Sequence, residues 1–323
     1  KEYGSVEAVV RNGKVYHTAM QALGDLAGKY PTPEEVARAH NIDNLPPADN
    51  RVVAILDSGS PSWNPGYVSK EISVVEGEPA RDEYGHGGAV IDIVHTVAPE
   101  AKIASVRVLG DKGMGRLDDI LRGVYRAVHM EPMPDVIGMS LGARPNLRYP
   151  ALARSCMKME RFYDVEIIAS AGNTGTGTGR QTSPAYADPV LSIGAVNSDM
   201  DLAFYSARYF DIAAVGTMTV EWLGRSLEAK GTSFSQPVVS AAAVRYMNRY
   251  RIRPARLDDV ETVSSSALVM AESLPVLDGG KLSRTEPIRE PTEWDVAGVY
   301  FALAMVGLGI IVMGVTVHKW RKM

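Results

Sequence analysis

Three short segments of the chain each set a reactive side chain beside glycine. Asp57-Ser58-Gly59 ends an apolar run, Tyr84-Gly85-His86-Gly87-Gly88 opens a helix-length stretch, and Gly231-Thr232-Ser233-Phe234-Ser235-Gln236-Pro237 leads into an alanine-rich stretch from Val238 to about Arg251. Singly, each has an ordinary reading. Asp-Ser-Gly is a common turn, a histidine among glycines is a solvent-facing turn, and a serine before a helix is a cap. Together they supply the parts of acyl transfer: a serine hydroxyl attacks a carbonyl, a histidine takes its proton, and a carboxylate holds the histidine in the right tautomer. Ile168-Ala169-Ser170-Ala171-Gly172-Asn173 adds a strand that ends in an amide side chain, a suitable donor to an oxyanion. Asp57, His86, Ser233 and Asn173 are therefore the candidate catalytic residues.

The elements that must position them follow from short apolar runs alternating with helix-length amphipathic segments. Arg51–Leu56, Ile103–Leu109, Asp135–Met139, Glu166–Ser170 and Val190–Val196 read as buried strands, and Gly88–Val97, Leu117–Met130 and Pro150–Tyr163 as the helices between them. Parallel strands need such crossovers, and helices on both faces account for strands that are continuously apolar. The fold class is α/β with a mainly parallel sheet, in which sites gather at the carboxyl ends of strands. Before residue 50, Asn12-Gly13 predicts a hairpin joining Val6–Val10 to Val15–Tyr16. Thr32-Pro33-Glu34-Glu35 predicts a capping box for a helix through His40.

In combination these motifs resemble the subtilisin-like serine proteases, or subtilases. Asp57-Ser58-Gly59, Gly85-His86-Gly87 and Gly231-Thr232-Ser233 with Pro237 match the family's aspartate, histidine and serine motifs. Ala98-Pro99-Glu100-Ala101, Met139-Ser140-Leu141-Gly142, Ala171-Gly172-Asn173, Ser183-Pro184-Ala185 and Ile193-Gly194-Ala195-Val196 extend the likeness over most of residues 51–284. The resemblance implies a subtilisin-like three-layer fold, with Ser233 as nucleophile, His86 as general base and acid, and Asp57 as the orienting carboxylate. Asn173 and the amide of Ser233 would form the oxyanion hole. Ser140, Leu141 and Gly142 would be an edge that pairs with extended substrate, with Ala171 and Gly172 on the pocket's other wall. No cofactor is required for this chemistry; structural calcium is frequent in the family, with no ligands identifiable here. One departure concerns the residues after the histidine. Gly87-Gly88-Ala89-Val90-Ile91-Asp92 stands where members commonly have Gly-Thr-His-Val-Ala-Gly, a change that bears on helix packing and substrate-side contacts before catalysis.

Lys+Arg 34 against Asp+Glu 38 gives a formal charge of -4, which argues against a nucleic-acid partner. The single cysteine, Cys156, excludes an intrachain disulfide and a zinc-cysteine cluster. Val296–Val317 carries no charged side chain; at about 1.5 Å per residue it would reach roughly 33 Å as a helix. That length crosses a bilayer core of about 30 Å. Trp294 and Trp320 flank it, and Lys319, Arg321 and Lys322 follow it, predicting a single span with a cytoplasmic tail and an extracytoplasmic catalytic domain. Such a topology needs an export signal, so Lys1 predicts a trimmed N-terminus. The expected organisation is an N-terminal extension over 1–50, too short for the folding pro-domain many secreted subtilases carry. A catalytic domain follows over 51–284, then a stalk over 285–295, a transmembrane helix over 296–317 and a tail over 318–323. Gly298 and Ala302 make a small-xxx-small pattern that could pair such helices in an oligomer or membrane complex. Two function classes stand: a membrane-anchored serine endopeptidase acting on protein or peptide substrates, or a catalytically silent subtilase fold that binds peptides or builds a membrane complex.

Overall fold

The computed structural model describes residues 14–17, 20–21, 30–143, 150–175, 179–250, 262–263 and 274–275. Two short strands, β1 (Lys14–His17) and β2 (Met20–Gln21), precede α1 (Pro33–Ala39). There follow β3 (Val52–Asp57), β4 (Ser60–Pro61), β5 (Val68–Ser73), β6 (Arg81–Asp82), α2 (His86–Val97), β7 (Lys102–Arg107), β8 (Met114–Arg116) and α3 (Leu117–Val128). The chain continues through β9 (Val136–Met139), β10 (Leu141–Ala143), α4 (Pro150–Tyr163), β11 (Glu166–Ser170), β12 (Leu191–Val196), β13 (Ile212–Val215), the hairpin β14 (Thr217–Trp222) and β15 (Arg225–Lys230), and α5 (Thr232–Tyr250).

Seven strands form one sheet in the order β13-β12-β11-β9-β3-β7-β5, parallel at every pairing. Successive side chains of a strand point to opposite faces, and β3 divides its residues accordingly. Val53 and Ile55 join one core with α1, α2 and α5, whereas Ala54 and Leu56 join a second core with α3 and α4. With both faces covered, β3, β9, β11 and β12 are buried along their whole length, which is why they read as unbroken apolar runs.

The capping box forms as expected: Glu35 N donates to Thr32 Oγ1, and Thr32 N donates to Glu35 Oε2 at 2.8 Å, with Pro33 in the first turn. The turn and first strand of the hairpin expected at Asn12-Gly13 lie outside the described residues. Its second strand, Val15–Tyr16, lies within β1, which pairs with β10 on one edge and β8 on the other. The edge strands β5 and β13 and the hairpin β14–β15 are additions to the strands read from sequence. The hairpin turns at Leu223 and Gly224, both at positive φ, as a tight two-residue turn requires. Among the described residues no helix is long and apolar enough to cross a membrane; the span expected over 296–317 lies outside them.

Candidate active site

Each candidate residue stands at the carboxyl side of the parallel sheet. Asp57 is the last residue of β3, Ser140 follows β9, and Asn173 lies three residues past β11. His86 is the first residue of α2, and Ser233 lies in the first turn of α5. Asp57 Oδ1 accepts from His86 Nδ1 at 2.7 Å and from the Ser58 amide at 2.8 Å, with both side chains buried. A carboxylate on Nδ1 fixes the neutral tautomer whose basic lone pair sits on Nε2, the form needed to take a hydroxyl proton. Trp222 and Phe234 pack on the imidazole with ring centroids 5.8 and 5.9 Å away.

The glycines around His86 are required by space. Gly85 has φ 101, and a Cβ there would overlap the indole of Trp222, whose Nε1 donates to the Tyr84 carbonyl at 3.0 Å. A Cβ on Gly87 would lie 2.7 Å from the Gly59 carbonyl oxygen, closing the approach of α2 to the Asp57-Ser58-Gly59 turn. The departure at Gly88 has a local cause: the ring of Trp63 lies where a side chain at 88 would begin.

Ser233 Oγ donates to the Ser140 carbonyl at 3.1 Å, and Ser140 Oγ is 2.8 Å from both the Ser233 carbonyl and Gln236 Oε1. Gln236 Nε2 in turn donates to Ile168 O at 3.2 Å and Ser240 Oγ at 2.6 Å. Asn173 Oδ1 accepts from the Thr232 amide at 3.0 Å and the Thr232 hydroxyl at 3.1 Å. With its oxygen turned to Thr232, the amide presents its N–H groups on the opposite side, the arrangement an oxyanion donor needs. Leu141 and Gly142 lie in β10, whose edge is occupied by this chain's own β1. Ala171 and Gly172 join that wall through one segment, because Thr182 N donates to Ala171 O at 2.9 Å and Ala143 N donates to Ser183 O at 3.2 Å.

Two residues absent from the motif reading organise the histidine turn. Asp82, buried four residues before His86, accepts from the amides of Tyr84 (2.9 Å), Gly85 (2.8 Å) and Gly88 (2.7 Å). Burial raises its pKa, with the amides of Gly88 and Gly85 opposing the rise. Arg107, fully buried at the end of β7, holds the preceding loop through the carbonyls of Pro79 and Arg81 and the carboxylate of Glu78, and also pairs with Asp111 in the loop after β7. Asp82 lies in the charged run Arg81-Asp82-Glu83, which reads as a solvated turn. The signal that could have found it is glycine three residues later, the spacing of a carboxylate capping its own turn.

Cys156 is buried, which pushes its thiol up and makes it an inert packing group. Among the described residues no three His, Cys, Asp or Glu side chains gather to hold a metal ion, so no calcium ligand is assigned and no step below uses one.

Comparison with known proteins places this geometry. The chain is 29% identical over 214 residues to an intracellular serine protease of Paenibacillus polymyxa, covering 59% of this chain and 64% of the relative. It is 29% identical over 205 residues to the alkaline serine protease ver112 of Corniculantispora psalliotae, covering 59% of this chain and 52% of the relative. With subtilisin DY of Bacillus licheniformis the identity is 28% over 218 residues, covering 62% of this chain and 78% of the relative. The first two matches thus take in between about half and two thirds of the relatives' own length. The profile of the subtilase family matches residues 49–273, from just before β3 to beyond α5, and with well over half its length so matched the chain belongs to the subtilase family.

Proposed function

We propose that this chain is a membrane-anchored serine endopeptidase that hydrolyses protein or peptide substrates through an acyl-enzyme. The observation that carries the reading is the buried 2.7 Å contact between His86 Nδ1 and Asp57 Oδ1, set at the same sheet edge as Ser233. In this reading Ser233 Oγ attacks the substrate carbonyl as His86 Nε2 takes its proton. Asp57 holds the ring and stabilises the imidazolium, and Asn173 with the Ser233 amide receives the oxyanion. His86 then protonates the departing amine, and water releases the acyl group by the reverse sequence. Substrate pairs in extended form along Ser140-Leu141-Gly142, taking the place that β1 holds along Leu141 and Gly142 in this structure, with Ala171 and Gly172 opposite.

The anchor rests on the charge-free run Val296–Val317 between Trp294 and Trp320 and on the basic residues after it. In this topology the catalytic domain is extracytoplasmic and the C-terminus cytoplasmic.

A fluorescent fluorophosphonate applied to membranes holding the protein tests the nucleophile without a guess at substrate. Labelling of the unmutated chain and none of Ser233→Ala is expected; equal labelling of both, or of neither, overturns the assignment. Extraction of the protein from membranes by alkaline carbonate would overturn the anchor.

A further inference from the structure

The strand that leads into Ser233 ends in a cation without an acidic partner. Lys230 closes β15, three residues before Ser233, and its ammonium sits over the ring of Phe204, 5.5 Å from the centroid. Phe204 is 68% exposed and Lys230 half-buried, so the pair faces solvent. Among the described residues Lys230 enters no ion pair; Glu228, two residues back on the same face of the strand, is buried and makes none with it. The ring is fixed relative to the site. Gly175 N donates to Tyr205 O and Ala207 N to Gly172 O, both at 2.8 Å, which laces the Phe204 loop to the segment carrying Asn173. Tyr205 Oη lies 3.0 Å from Thr217 Oγ1, and Thr217 is paired with Lys230 across the β14–β15 hairpin.

Strand pairing gives the direction of an extended chain past this frame. β1 sets His17 opposite Leu141, the residue next to Ser140, and after only two further residues in sequence β2 pairs Met20 with Lys230. A substrate seated along Leu141 and Gly142 in the same sense therefore carries its leaving half, the part on the C-terminal side of the cut, along β15. Residues directly opposite in an antiparallel pair set their side chains on one face, with Cβ atoms about 4.5–5.5 Å apart. Resting on the function proposed above, we infer that Lys230, steadied by Phe204, is a specificity residue that selects substrates with Asp or Glu opposite it, within the first three residues after the cleaved bond. An incoming carboxylate meets an ammonium whose stem the ring already orients, so less side-chain freedom is lost on pairing. A Lys or Arg at that place meets a like charge. Because the pair faces solvent, the preference is graded and sensitive to salt. Lys230 touches none of the reacting atoms and acts through binding.

Matched internally quenched peptides test this on the full chain in detergent, with Ser233→Ala as the blank and fluorophosphonate labelling run on every sample. The peptides share a sequence that the chain cuts in a random peptide library and carry Glu, Gln or Lys at the first, second or third residue after the cut. At one of those positions the unmutated chain should cleave the Glu peptide about two- to fivefold better in kcat/KM than the Gln peptide, with the Lys peptide poorest. High salt should erase the difference. Lys230→Gln should cut all three alike and Lys230→Glu should reverse the order, the change lying mainly in KM. Phe204→Ala should narrow the preference by freeing the ammonium. Labelling of Ser233 in a variant shows a chain folded around a working nucleophile. A labelled wild-type chain that cuts nothing in the library, or cuts the three peptides alike, overturns the subsite and leaves the triad reading intact. So does a labelled Lys230→Glu chain that keeps the wild-type order. A wild-type chain that neither labels nor cleaves overturns both.

Discussion

Ser140 and Ser233 are hydrogen-bonded in both directions: the hydroxyl of each donates to the carbonyl of the other, at 2.8 and 3.1 Å. The loop expected to receive substrate is thereby tied to the residue expected to attack it. Ser140→Ala would strip the partner from the buried Ser233 carbonyl and weaken the hold on Gln236. A loss of about 1–3 kcal/mol is expected, read from a shift in urea midpoint at constant slope.

Ser233→Ala should reduce turnover on the order of 10⁶, the scale known for the relative subtilisin, and Asn173→Ala by about 10²–10³ in kcat with little change in KM. A change confined to KM would assign Asn173 to substrate binding and remove it from oxyanion stabilisation.

Gly88→Thr installs the residue common in the family and drives its Cβ into Trp63. Overpacking of this kind costs about 1–3 kcal/mol. The double variant Gly88→Thr/Trp63→Ala should recover part of that loss, so the two changes should be measurably non-additive in a double-mutant cycle.

Asp82→Ala leaves the amides of Tyr84, Gly85 and Gly88 without their acceptor at the turn that presents His86. Stability should fall by about 1–3 kcal/mol. Turnover should fall with it, and Asp82→Asn, which keeps an acceptor oxygen, should restore part of both.

Asp92, in the helix that His86 opens, has its pKa raised to about 6 by burial first and then by the charges of Glu221 and Glu34. The folded state therefore holds this proton more tightly than the unfolded chain does. The resulting stability is complete below about pH 4 and is lost as the pH rises through about 6. Asp92→Asn mimics the neutral acid, so its advantage over the wild type should be absent in acid and reach about 2–3 kcal/mol at neutral pH, measured by denaturation across that range. An advantage independent of pH would exclude the titration as its cause.

The parallel core was legible because its strands are buried on both faces: Val52–Asp57 and Glu166–Ser170 are apolar runs that turns and helices punctuate. The candidate triplet stood out because aspartate, histidine and serine each sit with glycine nearby, and at Gly85 and Gly87 a close approach demands it. What stayed hidden depends on distant partners. Val15-Tyr16 reads as a strand, but that its neighbours are Leu141–Ala143 and Met114–Arg116 is written nowhere near it. Asp82 looks like one charge among others until the fold buries it, and Trp63 has no visible link to Gly88 across the intervening sequence. The stretch Thr217–Lys230 alternates buried and half-buried positions on its first strand, yet its role becomes plain only when Trp222 is found against the imidazole.

That last contact makes the hairpin β14–β15 a common mount. One arm holds Trp222 against His86 and the Tyr84 carbonyl, while the other runs through Gly231 directly into Ser233. His86 and Ser233, the proposed base and nucleophile, come from segments far apart in sequence, yet one short ribbon touches the first and leads into the second. A rigid drift of that ribbon carries both along and preserves their spacing, whereas a twist between its two arms changes it. Such a twist is opposed by six paired rungs of backbone, Thr217–Lys230 to Trp222–Arg225.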